Sequence, residues 1–307
     1  MTVALLDLPD ARPGQTTVRT LYSGISTGTE LLAYRGQLDP SLPLDETLGA
    51  LQGTFAYPFR YGYSCVGRVE AGDDLPADTL VFAFHPHQDR FTVPTEELVA
   101  LPAVDPRAAT LLPLVETALQ VVLDAGAVHR ETVVVLGMGA VGMLVALLLQ
   151  RAGAHVLGGE PRPGRRGVAA SVGVEAVAPD ELPPAVPLVI EASGSPVALA
   201  SALDLLAHEG EVLVASWYGT QQVALPLGGA FHRRRLSIRS TQVSSIPSPL
   251  SARWTHERRR ATVRALLSEL PLTALATHTF PFEEAETAFA ALDRGDDDIV
   301  HIALSYS

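Results

Sequence analysis

The stretch TVVVLGMGAVGMLVALLLQRAGAHVLGGE, residues 132–160, decides the reading of this chain. It opens on an apolar β-branched run and passes glycines at 137, 139 and 142. An apolar segment of helical length follows, and a second short strand ends at Glu160. This is the order of a dinucleotide-binding strand–turn–helix–strand unit with its G-x-G-x-x-G turn. Gly137 permits the tight turn, Gly139 lets backbone approach a pyrophosphate, and Gly142 lets the helix pack closely on the strand. The helix start, Ala140-Val141-Gly142, then offers unpaired N–H groups and a partial positive charge to the phosphates. An acid about 20 residues past the turn takes the ribose hydroxyls, and Glu160 stands there. Its charge repels a 2′-phosphate and favours NAD. Arg162, Arg165 and Arg166 follow closely as possible bidentate partners for that phosphate, so NADP stays open.

On the C-terminal side of this unit, PLVIEAS, GEVLVAS and RLSIRST are further strands, apolar on both faces and spaced by helical patterns. Such runs predict a buried parallel sheet, doubly wound by helices. The link PDELPPAV before PLVIEAS is short and proline-rich, so one crossover helix is reduced or missing. On the N-terminal side, before Pro113, the texture changes. TTVRTLYSG, YSCVGRVEAG, TLVFAFHPH and DRFTVP are short strands punctuated by glycine and proline, as in a small β-barrel. Beyond Thr241, a proline- and serine-rich connector leads to the helix ERRRATVRALLSEL, with Val263, Leu266, Leu267 and Leu270 on one face. The tail from Thr277 returns to strand, helix and strand.

With 307 residues, the chain is long enough for two domains. Its net charge of −12 disfavours nucleic acid and anionic membranes as partners. All 22 Lys+Arg residues are arginine, which excludes Schiff-base catalysis and a Walker-type phosphate loop. A single cysteine, Cys65, allows no intrachain disulfide and no cysteine-based zinc cluster, and fits a reducing, cytoplasmic setting. The opening MTVALLDLPDARPG has no basic start and no long apolar run, so it does not read as a secretory leader. The apolar run 133–149 is divided by glycines and ended by Gln150-Arg151, which argues against a membrane span.

SGISTGTELLAYRG, YGYSCVGRVEAG, LPLVETALQVV, VVVLGMGAVGM, VIEASGSP, ASWYG and FPFEEAETAFAAL, in that order and spacing, resemble the medium-chain dehydrogenase/reductase superfamily. The resemblance covers the whole length. It is closest to the zinc-type alcohol, polyol and threonine dehydrogenase branch, including its bacteriochlorophyllide dehydrogenase-like members. It implies an α/β fold: a GroES-like β-barrel catalytic domain over residues 1–118, completed by 273–307, and a Rossmann domain over 119–272. It also implies a homodimer, with cofactor and a small-molecule substrate meeting in the cleft between the domains.

The zinc ligands of that branch are missing here. Its Cys-Gly-Thr-Asp reads Thr27-Gly28-Thr29-Glu30, and its Gly-His-Glu reads Gly62-Tyr63-Ser64. Alignment through the later Thr-Ala pair puts the third ligand at Thr110, with Glu116 a second candidate. Hydroxyls are poor zinc ligands beside thiolate, imidazole or carboxylate, so no catalytic zinc is expected. Tyr63, Thr27 and Thr29 are the substitute donors for the developing alkoxide; Thr29 matches the hydroxyl that relays the substrate proton in zinc members. Glu30 and Glu116 are the candidate bases, although Glu116 also suits the first turn of a helix as a stabilising charge. Cys65 is expected to be a small buried residue. His85 and His87 form an H-x-H pair whose rings would share one side of a regular strand, but Pro86 makes the strand irregular and no third ligand is recognisable, so surface or polar-contact roles are expected.

By the same resemblance, Ser193 and Gly194 lie near the cofactor ribose and Trp217 and Tyr218 near the nicotinamide. Trp217, Tyr218, Phe231 and Trp254 either wall a substrate pocket or pack in a core. HRRRLSIR is an anion patch or a solvated run. The expected activity is zinc-independent hydride transfer between a nicotinamide cofactor and a carbonyl or alcohol of a hydroxylated or cyclic metabolite. The alternatives are reduction of a conjugated C=C bond or quinone, and cofactor binding without catalysis.

Overall fold

The computed structural model describes residues 2–8, 11–46, 48–72 and 74–307. Met1, Pro9 and Asp10, within the opening stretch MTVALLDLPDARPG, lie outside the described residues. In chain order the elements begin with β1 (Gln15–Ile25), α1 (Thr29–Tyr34), β2 (Cys65–Ala71), β3 (Leu80–Ala83), β4 (Arg90–Pro94) and β5 (Val99–Ala100). Next come α2 (Pro106–Ala109), α3 (Leu112–Ala125), β6 (Thr132–Leu136), α4 (Ala140–Arg151), β7 (His155–Gly159), α5 (Pro163–Ser171), β8 (Ala176–Val177) and β9 (Val186–Glu191). The chain closes with α6 (Pro196–Leu205), β10 (Leu206–Val214), β11 (Ser237–Ser240), α7 (His256–Glu269), α8 (Leu272–Leu275), β12 (His278–Pro281), α9 (Ala285–Arg294) and β13 (Ile302–Ser305). They form two compact units, residues 1–113 with 267–307, and residues 114–266.

The first unit is built on a seven-stranded sheet in the order β12-β13-β1-β2-β3-β5, with β4 also paired to β1. Pairing is antiparallel except between β12 and β13. Alternation sets its faces: Thr16, Val18 and Thr20 of β1 are buried, while Thr17 and Arg19 between them are not. Gly67 of β2 lets the strands close up, because a Cβ there would lie 2.4 Å from the Arg19 carbonyl. One sheet face carries Val18, Val69, Val81, Phe91 and Val93. The last strand–helix–strand segment adds Phe289, Leu292, Ile302 and Leu304 around Ile25.

In the second unit, β11-β10-β9-β6-β7-β8 form a fully parallel sheet. Counted along the chain, this is the 3-2-1-4-5-6 order of the Rossmann fold, whose order reverses between β6 and β9. The core holds Val134, Leu136, Val189, Leu199, Leu203 and Val212, each side chain contributing about 1.5–3 kcal/mol on burial. Between β8 and β9 the crossover is a single 3₁₀ turn, Pro179–Glu181, as the proline-rich link predicts. Helix α4 is apolar and buried almost all round, from Met143 to Leu149. Among the described residues no helix is long and apolar enough to cross a membrane. Helix α7 buries Val263, Leu266 and Leu267, the face expected from its spacing.

Candidate active site

The phosphate turn sits where the strand order reverses. Gly137 follows β6 at φ +92°, and a Cβ there would meet Ser193 Cα at 2.6 Å, so the loop after β9 packs directly on the turn. At Gly142 a Cβ would stand 1.8 Å from the Gly137 carbonyl, which seats α4 against its own entry strand. Gly139 differs from both. Only the Arg165 Nη1 approaches, at 3.8 Å, leaving open space over the helix start. Gly139 caps α4 without a side-chain hydrogen bond. The first backbone bond inside the helix runs from Met143 N–H to the Gly139 carbonyl. The N–H groups of Ala140, Val141 and Gly142 therefore face outward from the first turn. This cradle fits a pyrophosphate.

Glu160 directly follows β7 and is buried. Its Oε2 accepts from Met138 N–H at 2.9 Å and its Oε1 from Arg162 N–H at 3.1 Å. The acid thus holds the glycine turn while each oxygen keeps a second lone pair. Arg166 donates to the carbonyls of Glu160 and Pro161 at 2.8 and 2.9 Å, turning it into the α5 entry.

Glu191 ends β9 fully buried, a residue the sequence reading passed over. Its Oε1 accepts from the Ser193 N–H and hydroxyl at 2.7 and 2.6 Å and from Gly194 N–H at 3.1 Å. Its Oε2 takes the Tyr218 hydroxyl at 2.8 Å, and burial with this charge pushes the phenol up. Ser193 and Tyr218 therefore shape the loop through Glu191. Tyr218 and Phe231 pack on the Rossmann core, and Trp254 lies under the Arg258 guanidinium, 4.5 Å from its centroid. Trp217 is 46% exposed. Three arginines of the Arg-rich stretch have partners. Arg234 binds the Leu206 carbonyl, Arg235 pairs with Glu209, and Arg239 pairs with Glu211.

In the other unit, Tyr63 stands at the end of an aromatic ladder. Phe55 and Tyr61 lie 5.2 Å apart and Tyr61 and Tyr63 6.2 Å apart, centroid to centroid. Burial and the Glu30 charge push the Tyr63 phenol up to about 12, against side-chain hydrogen bonds with Ser26 and Thr29. Tyr63 is therefore a neutral donor at physiological pH. Thr27 is half-buried, and Thr29 opens α1. Glu30, in the first turn of α1, is buried; its Oε1 accepts from Ser26 N–H at 2.8 Å and its Oε2 meets His87 Nε2 at 2.7 Å. The second His87 nitrogen, Nδ1, meets Ser23 Oγ at 2.7 Å, and Ser23 Oγ meets Tyr306 Oη at 2.7 Å.

His85 and His87 do not share a side, because β3 ends at Ala83 and Pro86 breaks the alternation. His85 instead stacks on Phe91 at 4.1 Å. Glu116 lies in the second turn of α3, not the first. It pairs with buried Arg259 at 3.0 Å, whose other nitrogens reach Gln120 and the Val243 carbonyl. That carboxylate is committed to its ion pair with Arg259. As expected, Cys65 is buried, with its sulfur toward the His85 and Pro86 carbonyls, and burial pushes the thiol up.

The positions that match the zinc ligands do not fit the metal. Thr110 is buried with its hydroxyl on the Arg107 carbonyl and on His301 Nε2, and Ser64 donates to the Thr110 carbonyl at 2.6 Å. Tyr63 is held protonated. Thr27 and Thr110 offer hydroxyls, and the carboxylate candidate, Glu116, is taken by Arg259. Among the described residues no group of three His, Cys, Asp or Glu side chains is placed to hold a metal.

No family model matches the sequence. The chain is 32% identical over 315 residues to the 2-desacetyl-2-hydroxyethyl bacteriochlorophyllide A dehydrogenase of Cereibacter sphaeroides, covering 93% of this chain and 88% of that protein. Its fold matches that of 2R,3R-butanediol dehydrogenase from Bacillus subtilis at a TM-score of 0.76 and 19% identity, over 98% and 95% of the two chains. An Escherichia coli CFT073 alcohol dehydrogenase complexed with NADH matches at a TM-score of 0.74 and 17% identity, over 98% and 94%.

Proposed function

This chain belongs to the medium-chain dehydrogenase/reductase superfamily of NAD(P)-dependent oxidoreductases, and on that premise we propose a zinc-independent alcohol/carbonyl dehydrogenase with NAD as its preferred cofactor. Its substrate would be a hydroxylated or cyclic metabolite, and the enzyme would act as a homodimer. The observation that carries the reading is the open Gly139 cradle beside the buried, turn-holding Glu160.

When bound, the nicotinamide supplies or accepts the hydride. The chain's own residues do the rest. The N–H groups of Ala140, Val141 and Gly142 hold the pyrophosphate, assisted by the Arg165 guanidinium above Gly139. Glu160 offers its remaining lone pairs to the adenosine ribose. Ser193, Gly194 and Trp217 border the nicotinamide end, with Tyr218 holding that loop through Glu191. At the substrate, Tyr63 donates a hydrogen bond to the oxygen that gains charge, with Thr27 and Thr29 beside it. Burial, with the Glu30 charge beside it, keeps Tyr63 protonated.

The test is product analysis. Metal-free protein is incubated with NADH or NADPH and a panel of ketones, polyol-derived ketoses and cyclic enones. Alcohol formation with a preference for NADH supports the reading. Saturation of the enone C=C bond with the carbonyl intact would replace it with conjugate reduction. Tight cofactor binding with no product from any member would leave a binding protein.

A further inference from the structure

The reading above uses Tyr63 and leaves unexplained a run of polar groups packed beside it, inside the same unit. Ser23 is fully buried, Glu30 is 3% exposed, and the His87 side chain is 10% exposed. Buried polar groups must be hydrogen-bonded to be tolerated, and the distances show how these are satisfied. As a carboxylate, Glu30 only accepts. It takes Ser26 N–H on one oxygen, so His87 Nε2 must carry the proton it shares with the other, 2.7 Å away. In the neutral ring Nδ1 is then an acceptor, filled by the Ser23 hydroxyl at 2.7 Å. Ser23 oxygen is in turn free to accept from Tyr306 Oη–H, also at 2.7 Å. With the imidazole neutral, every donor in Tyr306, Ser23 and His87 points one way, toward Glu30.

The surroundings lock the imidazole in this place. A Cβ on Gly62, which sits at φ +117°, would lie 2.7 Å from His87 Cδ2, so the residue just before Tyr63 is shaped around the ring. Phe289 meets the other side edge-on at 6.4 Å.

We propose that His87 is a positioning residue of this site: oriented by Ser23 and Tyr306, its Nε2–H fixes the Glu30 carboxylate against Ser26 N–H and beside Tyr63. This rests on the reading of Tyr63 as the substrate donor. A carboxylate held there adds to the burial that keeps Tyr63 neutral. Without the imidazole, the buried charge would turn toward the Tyr63 and Thr29 hydroxyls and compete with substrate for them.

The test combines two readouts on the full chain. Long-range proton–nitrogen NMR of histidine-labelled protein, with His87 assigned by its loss in His87→Gln, reports the tautomer without any substrate. Protonation at Nε2 is expected, and His87 protonated only at Nδ1 would overturn the inference. The second readout is steady-state NADH oxidation with cyclohexanone and 3-hydroxybutanone as probes. His87→Leu is expected to lower kcat by about tenfold or more with NADH affinity unchanged, and His87→Gln, which keeps an N–H donor, to stay within about threefold of wild type. If His87→Leu does not fold, Ser23→Ala replaces it: Glu30 still holds the proton on Nε2, and kcat is expected to fall as the ring loses its Nδ1 anchor. Full kcat in His87→Leu, or equal losses in the Leu and Gln variants, would overturn the positioning role. Should Tyr63→Phe be harmless while His87→Leu is damaging, the Tyr63 reading fails alone. Should Tyr63→Phe be damaging while His87→Leu is harmless, this inference fails alone. If neither probe is turned over, the tautomer decides.

Discussion

The Met138 N–H donates to the Glu160 carboxylate across 2.9 Å, joining the middle of the glycine turn to the acid that follows the next strand. One side chain thus shapes the glycine turn and stands where the proposal puts the adenosine ribose. Glu160→Ala leaves the buried Met138 N–H without its acceptor, at about 1–3 kcal/mol. We expect lower urea stability of that order, NADH affinity reduced about tenfold or more, and a smaller preference over NADPH. Parallel fluorescence titrations with the two cofactors check this.

The three glycines of the turn separate cofactor binding from folding. A methyl at Gly142 collides with the Gly137 carbonyl, whereas one at Gly139 meets nothing closer than Arg165 at 3.8 Å. Gly139→Ala should keep stability within about 0.5 kcal/mol and lose NADH binding by about tenfold or more. Gly142→Ala should lose about 1–3 kcal/mol as well. Thermal melts and titrations on both variants distinguish the roles, and equal melting points would contradict this division.

Arg259 and Glu116 are both buried and paired at 3.0 Å. Removing one partner strands a buried charge. Glu116→Ala should cost about 3–5 kcal/mol, and the double change Glu116→Leu with Arg259→Met should recover most of it. Urea unfolding of the single and double variants measures this. A catalytic carboxylate would instead show lost turnover at unchanged stability.

Acid should destabilise the protein in a defined window. Burial lowers His301 to about 3, with Arg107 adding to the effect, and lowers His85 to about 4. Both are depressed from an ordinary value near 6.5. Their contribution is present above that value and is lost as pH falls through 4 and then 3, because the unfolded chain takes up the protons first. Urea midpoints should fall between pH 6.5 and 4, and His85→Gln should flatten that slope. An unchanged slope would show that the His85 ring gains its proton as readily folded as unfolded.

How much was legible depended on distance along the chain. The strand, turn, helix and acid of residues 132–160 are consecutive, so local pattern alone carried the dinucleotide fold. The short link before β9 likewise announced its missing helix. Cys65, between β-branched and glycine neighbours, was legible as filler. The pairs that define the polar site were not. His87 meets Glu30 from 57 positions away, Tyr218 meets Glu191 from 27, and Arg259 meets Glu116 from 143. No periodicity encodes such meetings; only the packed fold creates them. Pro86 already marked the H-x-H stretch as irregular, whereas Glu116 misled because α3 starts one turn earlier than its sequence suggests.

The central claim is a nicotinamide dehydrogenase that works without zinc. Its most direct test is a titration of purified protein with NADH and with NADPH, following energy transfer from the two tryptophans to the bound nicotinamide, with zinc quantified on the same sample. The account predicts micromolar NADH binding, weaker NADPH binding and far less than one zinc per chain, with turnover untouched by chelation. Failure to bind either cofactor, or one zinc per chain whose removal abolishes turnover, would contradict it.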